Sequence, residues 1–218
     1  KYFFSIALDK DSDKDIQNAF KNFNELQVNT SHPFLLQVYK DYDEKVITKE
    51  ELLKIINIIE SYVLRRIICE IPTNSLNKTF AFLYEEIDLE NYVESLEIAL
   101  YKRKTYKRFP NNEEFKKDFI TKDIYNMRNR NYILSNLENY GYKEFVNVEE
   151  YTIEHILPQN PKLSKEWKED LGVNWREIQE KYLHTIGNLT LTGYNPELSD
   201  LPFKNKRDME PGGFKQSP

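Results

Sequence analysis

No stretch restricts the fold of this chain more than residues 48–68, "TKEELLKIINIIESYVLRRII". Thr48 and Glu51 stand at the Thr-x-x-Glu spacing of a capping box, in which each side chain satisfies a backbone N–H left without a partner at a helix start. Leu52, Leu53, Ile55, Ile56, Ile59, Tyr62, Val63 and Ile67 follow, mostly at three- and four-residue steps. Their stripe is too broad for a helix covered on one side, so the segment predicts a central helix with other elements packed around it. Those elements are legible too. Ser12 and Asp15 mark a helix start ahead of Ile16, Ala19, Phe20 and Phe23, and periodic segments cover 78–87, 89–102, 112–120 and 122–138. The last runs toward Gly141, a residue suited to the left-handed position past a helix end. With only 6 glycines in 218 residues, the predicted class is mainly α. Arg65 and Arg66, in the last turns of the central helix, either complement its dipole or reach a ligand.

The pattern changes after Gly141. From 146 the chain reads "VNVEEYTIEHILP", a short β-type run stopped by Pro158. A polar insertion bearing Trp167 and Trp175 follows, then "IGNLTLT" as a second β-type run and "NPELSDLPFKNKRDM" as a short helix. The order strand, long loop, strand, helix predicts a small α+β part of ββα type. The expected boundaries are a helical domain at 1–145, the ββα motif at 146–210 and a tail at 211–218. The two tryptophans are expected to anchor a small core rather than to stack on bases.

Charge and cysteine content narrow the function. Cys69 is the only cysteine, so an intrachain disulfide and a multi-cysteine zinc site are excluded, any metal must be held by His, carboxylate or amide oxygen, and a reducing cytoplasm fits. No apolar run reaches the roughly 18 residues a membrane span needs, and the start lacks the order of a signal peptide. The first residue is not Met, which predicts a piece of a longer protein. The net charge of −5 is unevenly spread: residues 101–130 carry ten basic and four acidic side chains. Within them "YKRKTYKRF" interleaves Lys102, Arg103, Lys104, Lys107 and Arg108 with aromatics. It is either a phosphate-facing patch or a solvated helix end and loop; Arg128 and Arg130 extend the basic run.

The ββα order gives one histidine a meaning. His155 leaves the first β-type run and Asn195 opens the helix after the second, so a hairpin can bring both to one cleft. A neutral imidazole there can take a proton from water. Glu154 and the Asn195 side-chain oxygen are hard donors suited to Mg²⁺ or Mn²⁺, although a strand-end carboxylate also serves backbone or Arg contacts and Asn195 also suits a helix cap. Together they fit phosphodiester hydrolysis. His184 is the rival imidazole, expected to pack or hydrogen-bond; His32, in "SHPFLL", is expected to be structural.

"IEHILPQ", "LHTIGNLTLTGYN" and "LSDLPFKNK" resemble the C-terminal nuclease domain of the GmrSD-type modification-dependent restriction proteins, a branch of the HNH, or His-Me finger, endonucleases. The likeness is specific for about 150–206 and extends weakly upstream through "ESYVLRRIICEIPTNSLNKTFAFL" and "RNRNYILSNLE". It implies His155 as general base, Glu154 and Asn195 as ligands of one Mg²⁺ or Mn²⁺, Asn188 as the brace that orients the histidine, and Lys204 and Lys206 near phosphate. Modified phage DNA is the implied substrate. The family also carries an N-terminal ParB/sulfiredoxin-like domain that uses nucleotide; nothing here resembles it, and no GxxxxGK[ST] loop exists. Members continue past the point corresponding to "GGFKQSP", so 211–218 reads as a truncated tail. The expected function is a metal-dependent, cytoplasmic DNA endonuclease domain in anti-phage restriction, with no membrane partner. The alternatives are a catalytically silent nucleic-acid-binding or regulatory module, and a protein-interaction domain. Asn188 after Gly187 also fits simple turn chemistry.

Overall fold

The computed structural model describes residues 2–142 and 146–216. Contacts divide the chain into two compact units, Lys1–Asp118 and Phe119–Pro218. The change of pattern in the sequence placed the boundary at 145/146, later than this division.

The first unit is built on helices α1 (Tyr2–Ala7), α2 (Lys14–Glu25), α3 (His32–Asp43), α4 (Lys49–Ile68), α5 (Leu76–Leu83) and α6 (Tyr92–Tyr101); the division falls within α7 (Asn112–Thr121). The capping box at α4 is formed: the Glu51 N–H donates to Thr48 Oγ1 at 3.2 Å and the Thr48 N–H to Glu51 Oε2 at 2.8 Å. Leu52, Ile55, Ile56, Ile59, Tyr62 and Val63 are fully buried, with α2, α3 and α6 packed against the helix. The cap of α2 is Asp13, whose carboxylate accepts the Asp15 and Ile16 N–H groups, one residue later than the expected Ser12.

Arg66 resolves the question of the terminal arginines of α4. Its guanidinium is fully buried and donates to the carbonyls of Tyr106, Arg108 and Pro72 and to Ser75 Oγ, at 2.8–3.3 Å. A buried cation needs such acceptors to offset lost hydration. Arg66 therefore fastens the basic loop to the core helix. Arg65 donates to the Pro110 carbonyl at 3.1 Å and lies over the Phe109 and Phe115 rings.

The second unit holds α8 (Arg130–Glu138), β1 (Thr152–His155), α9 (Lys165–Leu171), α10 (Trp175–Tyr182), β2 (Leu189–Thr192), α11 (Asn195–Leu198) and α12 (Phe203–Asp208). The strands pair antiparallel, with Thr152 opposite Thr192 and His155 opposite Leu189. Two expectations are corrected. The helix foreseen over 122–138 begins only at Arg130, because Asp123 Oδ1 accepts the Asn126 N–H at 2.9 Å and the Ile124 and Tyr125 N–H groups donate to the His184 carbonyl. These local and long-range bonds take the donors a helix would use. The helix foreseen from Asn195 onward is two short ones: Ser199 turns at φ 39° and Pro202 lacks the N–H to continue. Trp167 is buried with Leu157 and Leu163, and Leu171 and Trp175 close over them, the small core expected of the insertion. No helix among the described residues is long and apolar enough to cross a membrane.

Candidate active site

Glu154 and His155 end β1, where its side chains turn from exposed to buried. The ladder continues one step further, as the Ile156 N–H donates to the Asn188 carbonyl at 3.0 Å. The Asn188 side chain then ties the next residue: Oδ1 accepts the Leu157 N–H at 2.6 Å, and Nδ2 donates to the carbonyls of Leu157 at 3.1 Å and Leu183 at 2.8 Å. One buried amide thus holds the exit of β1 to the entry of β2. Gln179 anchors the following turn by donating to the Pro158 and Asn160 carbonyls.

An open cleft of about 240 Å³ lies at this strand end, lined by Glu154, His155, Asn195, Asp200, Tyr125 and Gln159 among others. Asn195, the first residue of α11, donates through Nδ2 to the Ile153 carbonyl at 2.9 Å and to Thr152 Oγ1 at 3.1 Å. Its amide nitrogen is spent on β1, so its oxygen is the acceptor the side chain has to offer. The strand, the loop and α11 therefore bring together the three residues for which the sequence foresaw metal and proton chemistry. A second hollow, of about 250 Å³, is bordered by Thr190, Thr192, Tyr194 and Phe214 and contains neither histidine nor asparagine.

His155 is 4% exposed. Burial chiefly, then the neighbouring His184 and Lys206, lower its pKa from 6.5 to about 4, so the ring is neutral at neutral pH. Its Nε2 lies 3.2 Å from His184 Nδ1. Tyr125 touches both rings, edge-on to His155 with centroids 4.5 Å apart and stacked on His184 at 5.1 Å. His184, the rival imidazole in the sequence, is thus the partner of His155.

Lys206 corrects an expectation. Placed near phosphate by the resemblance, it is fully buried, with Nζ 2.5 Å from Glu154 Oε1 and 2.9 Å from the His155 carbonyl. Burial raises the Glu154 carboxyl above its ordinary pKa, outweighing the pull of the Lys206 ammonium and of the His155 N–H. The donor set has one carboxylate and one amide oxygen; among the described residues no group of three or more His, Cys, Asp or Glu side chains is placed to hold a metal. Two hard oxygens with room for water fit Mg²⁺ or Mn²⁺, which bind few protein groups and keep several waters.

The other expected DNA contacts sort by environment. Lys102, Lys104, Arg128 and Lys204 are exposed and Lys107 is half-buried. Arg103 instead pairs with Glu86 at 2.7 Å and Arg108 with Glu114, so both charges are already matched. Arg130 donates to the Tyr125 carbonyl at 3.2 Å and lies over the Tyr125 ring. Sequence reasoning missed Tyr125 as part of the site, and the sequence sign of the His155–His184 pair was that one histidine ends the first β-type run and another stands two residues before the second.

The hairpin and α11 thus carry an imidazole, a carboxylate and an amide oxygen, groups capable of proton transfer and of metal ligation, to one open cleft. The family profile of the GmrSD restriction endonucleases, C-terminal domain, matches residues 109–217, which include every residue of this cleft. The chain belongs to that family, and so to a nuclease family of restriction-endonuclease type. No curated protein and no solved structure matches it.

Proposed function

We propose that the second unit is an HNH-type, His-Me finger endonuclease centre of ββα-metal form, hydrolysing phosphodiester bonds of DNA. The observation that carries the reading is the meeting of a neutral imidazole, a carboxylate and an amide oxygen, from His155, Glu154 and Asn195, on one cleft. His155 accepts the proton of the attacking water as the water oxygen bonds to phosphorus and the bond to the leaving sugar oxygen breaks. A bound phosphate anion beside the ring raises its proton affinity, moving it toward the range in which a base works best. Glu154 and Asn195 hold one Mg²⁺ or Mn²⁺, which when bound supplies charge stabilisation at the phosphate and the leaving oxygen. Asn188 keeps the strand exit in register, and Lys206 fixes the Glu154 carboxylate from behind.

The exposed Lys102, Lys104, Arg128 and Lys204 contribute contacts to the phosphate backbone, which position DNA without reading its sequence. The family's description supports DNA as the substrate; modified phage DNA, met in the cytoplasm in anti-phage restriction, is the substrate we assign from the sequence resemblance. The Lys206–Glu154 pair favours a second reading, a catalytically silent nucleic-acid-binding module, because an ammonium already occupies one carboxylate oxygen.

Supercoiled plasmid incubated with the purified chain separates the two. Conversion to nicked circles with Mg²⁺ or Mn²⁺, stopped by EDTA, is the outcome for the endonuclease. Salt-sensitive retention of DNA without nicking, with metal bound, supports the silent module and rejects the first reading.

A further inference from the structure

We infer that His184 is a positioning residue that selects the tautomer of His155, so that Nδ1 of His155 carries the free lone pair in the cleft. This deepens the reading of His155 as general base and rests on it.

His155 Nε2 and His184 Nδ1 lie 3.2 Å apart, and with both rings neutral a hydrogen bond between them requires one proton, supplied by one ring or the other. If His155 donates, both rings are Nε2–H tautomers, the form a free histidine side chain prefers. If His184 donates, both are Nδ1–H, the less favoured form, and the Nε2 lone pair of His155 is spent on its neighbour. Only the first arrangement leaves a lone pair on Nδ1, the nitrogen of His155 that the pair does not use. His184 is held for this task from two directions. Its carbonyl accepts the N–H groups of Ile124 at 2.9 Å and Tyr125 at 3.2 Å. Its ring lies under Tyr125 at an interplanar angle of 13°, and the Arg130 guanidinium backs the other partner of that stack at 5.4 Å. The role resembles that of the carboxylate in a Ser-His-Asp triad, which holds the imidazole in one tautomer and orientation, but here the orienting group is a second neutral imidazole.

The test reads the tautomer directly, in the metal-free full chain without DNA, by two-bond ¹H–¹⁵N NMR of the imidazoles at about pH 8, well above the ordinary pKa of a histidine. Three histidines make the spectrum assignable with single His32 and His155 substitutions. Wild type is expected to show His155 as one tautomer, protonated on Nε2. His184→Asn, whose carbonyl oxygen can stand where the acceptor nitrogen stood, should keep it. His184→Leu, folded by its circular dichroism, should show loss of the single tautomer and a population protonated on Nδ1. A wild-type His155 protonated on Nδ1 overturns the inference whatever the variants do, and so does an unchanged single tautomer in folded His184→Leu. If His184→Leu does not fold, the wild-type spectrum and His184→Asn decide alone. The expected tautomer in a protein that never nicks DNA would count against the endonuclease reading and leave the assignment of His184 standing.

Discussion

Replacing Lys206 with Met deletes the ammonium facing Glu154 while keeping most of the side chain's length. In the folded protein that ammonium is fully buried, 2.5 Å from a carboxylate that is itself 4% exposed, and it also donates to the His155 carbonyl at 2.9 Å. Two charges at that separation attract by on the order of 7 kcal/mol at an effective dielectric constant of about 20. Most of this offsets the hydration lost on burial, and removing one member of a buried pair typically costs about 3–5 kcal/mol because the other is left uncompensated. Glu154 limits the loss by taking up a proton, so the variant's pH dependence has a defined sign. A carboxyl whose folded pKa lies above its unfolded value binds the proton more readily when folded, so stability falls as pH rises through the interval between the two values. Lys206→Met should therefore be weakest at and above neutral pH and regain stability as pH falls toward the ordinary carboxylate range. Both tryptophans, Trp167 and Trp175, lie in the second unit, so urea unfolding followed by tryptophan fluorescence reports on the unit that holds the pair. The double variant with Glu154→Gln should recover most of the loss. A loss under about 1 kcal/mol at neutral pH, or a pH dependence identical to wild type, would refute the reasoning.

Two further perturbations follow from the same site. Asn188→Ala removes three hydrogen bonds at the strand exit and strands buried backbone partners, so it should cost about 2–4 kcal/mol by the same fluorescence assay; a loss below about 1 kcal/mol would mean the amide does not brace the hairpin. For His155, the depression from 6.5 to about 4 means that the unfolded chain binds the proton first. Its contribution is complete above about pH 6.5 and is lost as pH falls to 4, by roughly 3 kcal/mol, so His155→Gln should flatten the pH–stability curve over that window and an unchanged curve would contradict the buried neutral ring.

What the sequence made legible was what local chemistry decides. The start of α4 was readable because Thr48 and Glu51 satisfy each other's backbone within one turn. Both strands were readable as β-type runs, and their pairing is what carries His155 and Asn195 to one cleft. Choices made by distant partners were not legible. The helix foreseen from 122 gives way to turns because two N–H groups find the His184 carbonyl some sixty residues on. Lys206 was placed near phosphate by the resemblance, and only the fold shows that its partner is Glu154, 52 residues away. Arg103 and Arg108 looked free within the basic stretch, yet Glu86 and Glu114 answer them. A residue's charge is written in the sequence, but the charge it faces is set by packing.

The most direct measurement of the central claim compares wild type with His155→Ala in plasmid nicking with Mg²⁺ or Mn²⁺ and with EDTA, at matched tryptophan fluorescence. Wild type should nick in a metal-dependent way and the variant should lose on the order of a hundredfold or more, the scale of a removed general base. Nicking that persists at the wild-type rate in folded His155→Ala would contradict that claim.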